Sequence, residues 1–192
     1  MKYILNFLLI FFFCIGFTQE RKTIQLKRFD SPPKIDGIIN DQQWKNLTPA
    51  SNFKRWMPNN GSSEKIGYES FVYVGYDDNS VYVAGIFNNP NPIPIEFSQR
   101  DDVWEVNAET FFTSINTYDD NINYQSFQIT SAGTLGDRYT SGEMKEDDQN
   151  FDTVFESKAF INDNGWSMEM RTPYSALRFP SKEIQKWGIN FG

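Results

Sequence analysis

The 192-residue sequence contains no histidine and a single cysteine. The first absence excludes Ser-His-Asp and Cys-His triads and every histidine-ligated metal centre. The second excludes a disulfide within the chain. Cys14 follows Phe11, Phe12 and Phe13 rather than the small residues that a lipoprotein signal needs, so no lipid anchor is expected. Positive charge is scarce too: 18 Lys and Arg stand against 25 Asp and Glu, a net charge of −7. Nucleic acid and anionic membrane surfaces both demand basic patches, so neither is an expected partner. Glycine-rich phosphate loops, zinc-ligand spacings and nucleophile elbows are also missing.

Long apolar runs are confined to the N-terminus, where residues 1–18 have the layout of a secretory signal peptide. Lys2 supplies the charge, residues 3–17 the apolar stretch, and Gly16 and Thr18 the small residues before a cut at Gln19. The run is shorter than the roughly 18 residues expected of a spanning helix. The expectation is an exported protein of the periplasm, outer membrane or extracellular space. Residues 19–192 then form one domain, long enough to bury a core without disulfide staples.

Within that domain the hydrophobic pattern has period two. In "ESFVYVGYDDNSVYVAGIF", Phe71, Tyr73 and Gly75 alternate with Val72, Val74 and Tyr76, and Asp77, Asp78, Asn79 and Ser80 supply a turn before 81–87 resume. Further strands are expected at 23–26, 93–99, 109–116, 124–130, 153–161, 166–171 and 187–191, with turn-rich pieces such as "YDDN", "SAGTLGD" and "NDNG" between them. Two short helices are expected, one capped by Asn40 over 41–46 and one capped by Thr172 from Pro173 through Leu177. The fold class is all-β, an antiparallel β-sandwich with one or two short helices. The proline-rich 87–97 segment cannot be a central strand and is expected at an edge or crossover. The polar stretch 142–150 reads as a loop, and "WGINFG" at 187–192 as a final strand of a domain truncated at its C-terminus.

Catalysis by paired carboxylates needs two acids held on rigid elements facing a cleft. Asp77 with Asp78, Asp119 with Asp120 and Asp147 with Asp148 instead fall in turns, where acids form the turn and stay solvated. An enzyme is therefore not expected. Aromatics, at 17%, exceed what one core requires. Phe71, Phe87, Phe111, Phe127, Phe160 and Trp187 lie in apolar strands and are assigned to the core, as is Trp44 on its short helix. Trp56, Trp104, Tyr118 and Tyr139 lie beside turn formers, where an exposed face can stack. Sugars present an apolar C–H face rimmed by hydroxyls, so their receptors combine flat aromatics with planar hydrogen-bonding groups. Gln99, Arg100, Asp101 and Trp104 offer that combination in one segment. The same residues serve equally as an arginine–acid pair that fixes a loop with a half-buried tryptophan. Loop acids also suit calcium, although no EF-hand spacing is present.

The order of "PPKIDGIINDQQWK", "YVGYDDNSVYVAGIF", "QRDD", "YDDNINYQSFQITSAGTLGD", "FDTVFESKAFINDNGWSMEMRTPYSALRFP" and "WGINF" resembles the carbohydrate-binding module family 9 domain. The closer likeness is to its form at the N-terminus of large Gram-negative outer-membrane proteins. The resemblance covers nearly all of 27–191 and implies a β-sandwich that binds glycans without catalysis, often attached to glycoside hydrolases in carbohydrate catabolism, sometimes with structural calcium. It matches Arg100 and Asp101 to the family's arginine and acid motif, Asp137 to the acid after the glycine turn and Asp152 to the acid of a tryptophan and aspartate pair; with the aromatics Trp104, Trp56, Tyr139 and Phe151, the carbohydrate contacts expected are Arg100, Asp101, Asp152 and those four. The sequence departs from the family at Phe151 and Phe155, where tryptophan is usual, at Asn107 and Asn116, where aspartate is usual, and at Phe112, where an acid often sits. Lost acids are lost acceptors and lost calcium ligands. The alternative implied is a periplasmic or surface structural domain of an outer-membrane β-barrel protein, with the barrel partner missing from this chain and no sugar binding.

Overall fold

Alternation along each strand sends successive side chains to opposite faces, and in this chain it builds two sheets around one core. The computed structural model describes residues 22–142, 147–148 and 150–192. The signal expected at 1–18, with Cys14, and residues 143–146 and 149 of the polar stretch lie outside the described residues. The larger sheet has the order β1 (Lys27–Arg28), β2 (Ser70–Tyr76), β3 (Ser80–Asn88), β8 (Gly165–Pro173), β7 (Glu156–Asn162). The smaller has the order β6 (Leu135–Thr140), β5 (Tyr124–Thr130), β4 (Thr110–Asn116), β9 (Gly188–Phe191). Every pairing is antiparallel except the short β1–β2 contact. This is the β-sandwich that the alternation predicts.

Val72, Val74, Val81, Val83, Met168 and Met170 of the larger sheet meet Phe111, Ile115, Phe127 and Ile129 of the smaller one. Gly85 also faces this core, and the Phe87 ring fills the space that a side chain at 85 would need. The other face of the larger sheet carries a second cluster, Phe29, Trp44, Tyr82 and Ala84. Trp44, 1% exposed, meets Phe29 edge to face at 5.4 Å, so the helix residue packs as expected. Glu169 projects from the middle of β8 onto this face. Its Oε1 accepts from Trp44 Nε1 at 2.7 Å, and its Oε2 accepts from the backbone N–H groups of Asp36 and Gly37 at 3.0 Å each. Burial pushes this carboxyl up, and the three donors pull it back. Gly37 has φ +86°, and a Cβ there would lie 2.9 Å from the carbonyl carbon of Ala159. Only glycine lets the covering segment lie this close.

Several expectations are corrected. The strand expected at 23–26 forms later, as Lys27–Arg28, while 93–99 forms no strand and is the crossover from β3 to β4, as its prolines require. β7 starts at Glu156 rather than 153, because the Thr153 N–H is bonded to Asp137 Oδ2 at 2.7 Å. Leu135–Thr140, expected largely as a turn, is the edge strand β6. The first helix is the single turn α1 (Gln42–Lys45), preceded by Asp41 rather than by an Asn40 cap, and Asp41 Oδ2 accepts instead from Lys34 N at 2.7 Å. Thr172 is buried within β8 opposite Val81, and only Tyr174–Ala176 makes a helical turn, of 3-10 type. Phe160 is 41% exposed because parity along edge strand β7 turns Ala159 and Ile161 inwards, and Phe71 is half-buried on the outer face beside Tyr73. Asp77 forms its turn but is buried rather than solvated, accepting from Asn79 N, Ser80 N and Tyr82 Oη.

Candidate functional site

Among the described residues no hydrophobic cluster covers the outer face of the smaller sheet. Register sets Asn190 of β9, Ser114 of β4, Ser126 of β5 and Arg138 of β6 side by side in one row across four strands. The adjacent row holds Phe112, Gln128 and Gly136. The two serines are short and bond each other at 2.7 Å, which leaves a hollow at the sheet's centre. Trp104 and Phe112 wall one side, and Tyr124, Thr140 and Asp147 line the other. The resulting cleft measures about 280 Å³, close to the lower end of small-ligand sites.

Trp104 is held there by its neighbours. Val103 is buried against the sheet over Gly136, where a Cβ would approach Gln128 Oε1 to 3.0 Å and Val103 to 3.1 Å. Asp101, at φ +72°, accepts from Asp137 N at 2.9 Å and donates its own N–H to Leu135 O at 2.9 Å. The indole of Trp104 stays 52% exposed, with Phe112 edge to face at 6.0 Å. The Arg138 guanidinium lies 5.6 Å from the Trp104 ring, within cation–π range. Its Nη1 reaches Asp147 Oδ2 at 3.2 Å and its Nη2 reaches Gln128 Oε1 at 3.4 Å, while its Nε is buried without a hydrogen-bond partner among the described residues. Asp147 Oδ1 accepts from the Thr140 hydroxyl at 2.7 Å. One stacking face and a set of planar donors and acceptors thus converge on a single hollow.

The residues singled out in the sequence do not all meet here. Parity along β6 turns Arg138 and Thr140 outwards but Asp137 and Tyr139 towards the sandwich interior. Asp137 is 2% exposed, and burial raises its carboxyl against the opposing pull of Arg100. Arg100 Nη2 is bonded to Asp137 and to Thr153 O, its Nε lies 3.3 Å from Asp152 and 3.9 Å from Asp101, and its guanidinium sits 5.4 Å from the Phe155 ring. Its charge is already shared among three carboxylates. Tyr139 and Phe151 pair at 5.9 Å, with Arg178 5.8 Å from each ring, on the same inner side. Trp56 lies on the 54–63 loop, 77% exposed. Of the expected contact residues, Trp104 lines the cleft, and Arg100 and Asp101 tie down the loop that carries it. Ser114, Ser126, Gln128 and Arg138 were not singled out, although polar residues at every second place of otherwise apolar strands mark an outward face.

Asn116, where the resembled family has aspartate, is buried and donates to Asp120 Oδ1 at 3.0 Å. Among the described residues no group of three or more carboxylate, histidine or cysteine side chains is arranged to hold a metal ion.

The sequence matches no protein-family model and no curated protein significantly. Solved structures do match. A carbohydrate-binding module family 9 domain of Caldicellulosiruptor kristjanssonii, in complex with cellotriose, superposes with a TM-score of 0.54 at 15% identity, over 86% of this chain and 73% of that one. The same module in complex with glucose gives a TM-score of 0.53. A putative carbohydrate-binding protein of Bacteroides uniformis gives 0.60 at 13% identity, over 86% of this chain and 80% of that one. The fold is shared with these carbohydrate-binding proteins.

Proposed function

We propose that the chain is an exported, noncatalytic carbohydrate-binding domain that holds a neutral glycan in the outer-face cleft of the smaller sheet. The observation that carries this reading is the pairing of an exposed Trp104 face with Arg138, Gln128 and Asp147 around the serine-floored hollow. An indole offers the C–H face of a sugar ring a stacking surface, and the planar groups match its equatorial hydroxyls. The shared fold with sugar-complexed modules supports the same reading. Binding rather than hydrolysis is supported by the acids. Glycosidases of the two-carboxylate type need a pair flanking the bond, and among the described residues this cleft is lined by one acid, Asp147. The buried carboxylates Asp77, Asp137 and Glu169 are each bonded to donors elsewhere. Export rests on the layout of residues 1–18.

Titration calorimetry with cellotriose and a panel of other neutral glycans tests the proposal. The expected dissociation constants lie between about 1 μM and 1 mM, or about −8 to −4 kcal/mol. Trp104→Ala abolishes the binding heat with little change in melting temperature, because the indole is half exposed, whereas Trp56→Ala leaves binding unchanged. No heat with any glycan, or equal binding by Trp104→Ala, refutes the reading.

A further inference from the structure

Among the described residues the cleft is lined by one cation and one anion, Arg138 and Asp147, and they are paired. Asp147 is fixed from two sides: Oδ2 accepts from Arg138 Nη1 at 3.2 Å and Oδ1 from the Thr140 hydroxyl at 2.7 Å. The Arg138 side chain is 19% exposed and that of Asp147 35%, so the pair is partly withdrawn from water but still within reach of salt. The Arg138 Nη1 and Nη2 are turned towards Asp147 and Gln128, and its Nε is buried with no hydrogen-bond partner among the described residues.

We propose that Asp147 sets the ligand class of this cleft, neutralising Arg138 so that neutral sugars are accepted and uronate- or sulfate-bearing glycans are turned away. The inference rests on the reading of the cleft as a glycan site. A carboxylate or sulfate reaching the Arg138 fork meets a guanidinium already facing one anion, and the approach sets two negative charges against a single positive one. The chain's net charge of −7 adds to that repulsion. A hydroxyl brings no charge, so it enters the cleft without competing for the pair. Asp147 therefore acts as a selectivity residue through Arg138, by repulsion of the wrong ligand rather than attraction of the right one. Replacing it by asparagine keeps the side-chain shape and an oxygen for Thr140, and it frees the guanidinium to take a carboxylate by two parallel N–H···O bonds.

The test compares the affinities of cellotriose and trigalacturonate for the wild type, Asp147→Asn, Asp147→Glu and the double variant Asp147→Asn/Arg138→Gln, with melting temperatures as the folding control. The wild type is expected to bind trigalacturonate at least about tenfold more weakly than cellotriose, and Asp147→Asn to narrow that ratio by about tenfold or more. The gain should shrink as salt rises, vanish in the double variant and be absent from Asp147→Glu, which restores the charge. A ratio that does not move in a folded Asp147→Asn overturns the charge selection while leaving a glycan site in place. So does a wild type that prefers trigalacturonate. Gain of trigalacturonate binding by Asp147→Asn with no cellotriose binding by either protein supports the selection and overturns the neutral-glycan reading. No binding of either ligand by any variant overturns both.

Discussion

Glu169→Gln tests whether one buried carboxylate holds the covering segment on the larger sheet. The wild-type carboxylate receives three donors, the indole N–H of Trp44 and the backbone N–H groups of Asp36 and Gly37. Glutamine matches its volume but has one oxygen. If that oxygen stays with the two backbone donors, the amide NH2 faces the Trp44 indole N–H at the site of the present 2.7 Å bond. Two donors then oppose each other in a residue that is 0% exposed. A buried donor without a partner costs about 1–3 kcal/mol, and the lost charge assistance acts in the same direction, so a loss of about 2–3 kcal/mol is expected. For a domain of this size that lowers the melting temperature by about 5–10 °C. Urea titration and thermal melting measure the loss, and a double-mutant cycle identifies its cause. Trp44→Phe removes the indole donor, so in that background Glu169→Gln should cost about 1–2 kcal/mol less. A stability change within about 0.5 kcal/mol, or a cycle with no coupling, refutes the account.

Arg100→Ala should cost about 2 kcal/mol in urea titration, because it strands the buried Asp137 carboxylate, and weaken cellotriose binding only in step with that loss as the Trp104 loop loosens; the arginine is 36% exposed, which holds the cost below that of a fully buried pair. Loss of binding at intact stability would instead make Arg100 a ligand contact. Gly37→Ala should lower stability by about 2–3 kcal/mol in the same assay, through its φ of +86° and the contact with Ala159, and a neutral result would mean that the covering segment can lift. Burial alone would raise the Asp120 carboxyl, but donors from Ile122, Asn123 and Asn116 outweigh it and bring it to about 2. The unfolded chain binds that proton at about pH 3.9, so the stability from Asp120 is full above that pH and is lost as pH falls towards 2. Denaturation at stepped pH should show this fall in the wild type and a flatter profile in Asp120→Asn.

The β2–β3 hairpin was legible because its alternation and its Asp77–Ser80 turn are local properties, and the structure places it at Ser70–Tyr76 and Ser80–Asn88. β6 was not, because "LGDRYT" carries a glycine and an aspartate that locally favour turns. What makes Asp137 acceptable in a buried strand is distant in sequence: the Arg100 guanidinium and the Thr153 N–H. The same limit applies to the cleft. Trp104 could be singled out from its polar neighbours, whereas Ser114 and Ser126 are ordinary strand residues until register sets them opposite each other. Arg138 and Tyr139 are adjacent in sequence and point to opposite sides of the sheet, so strand parity, which the pairing sets, decides which of them reaches the cleft.

The two outer faces of the sandwich differ in how they meet water. Both sheets share one apolar core, so each has a second face that must be covered or kept polar. On the larger sheet that face carries Tyr73, Tyr82 and Ala84, and it is covered by Phe29 and Trp44 on a segment clamped by Glu169. On the smaller sheet it carries Ser114, Ser126, Gln128, Thr140 and Asn190, side chains that can face water without a cover. A purely structural face of that kind has no need of a half-exposed tryptophan. Trp104 exposes apolar area that water does not favour, beside the planar groups of Arg138, Gln128 and Asp147. A ligand with one apolar face and a rim of oxygens would cover that area and meet those groups together, which is why the proposed occupant of the cleft is a sugar ring.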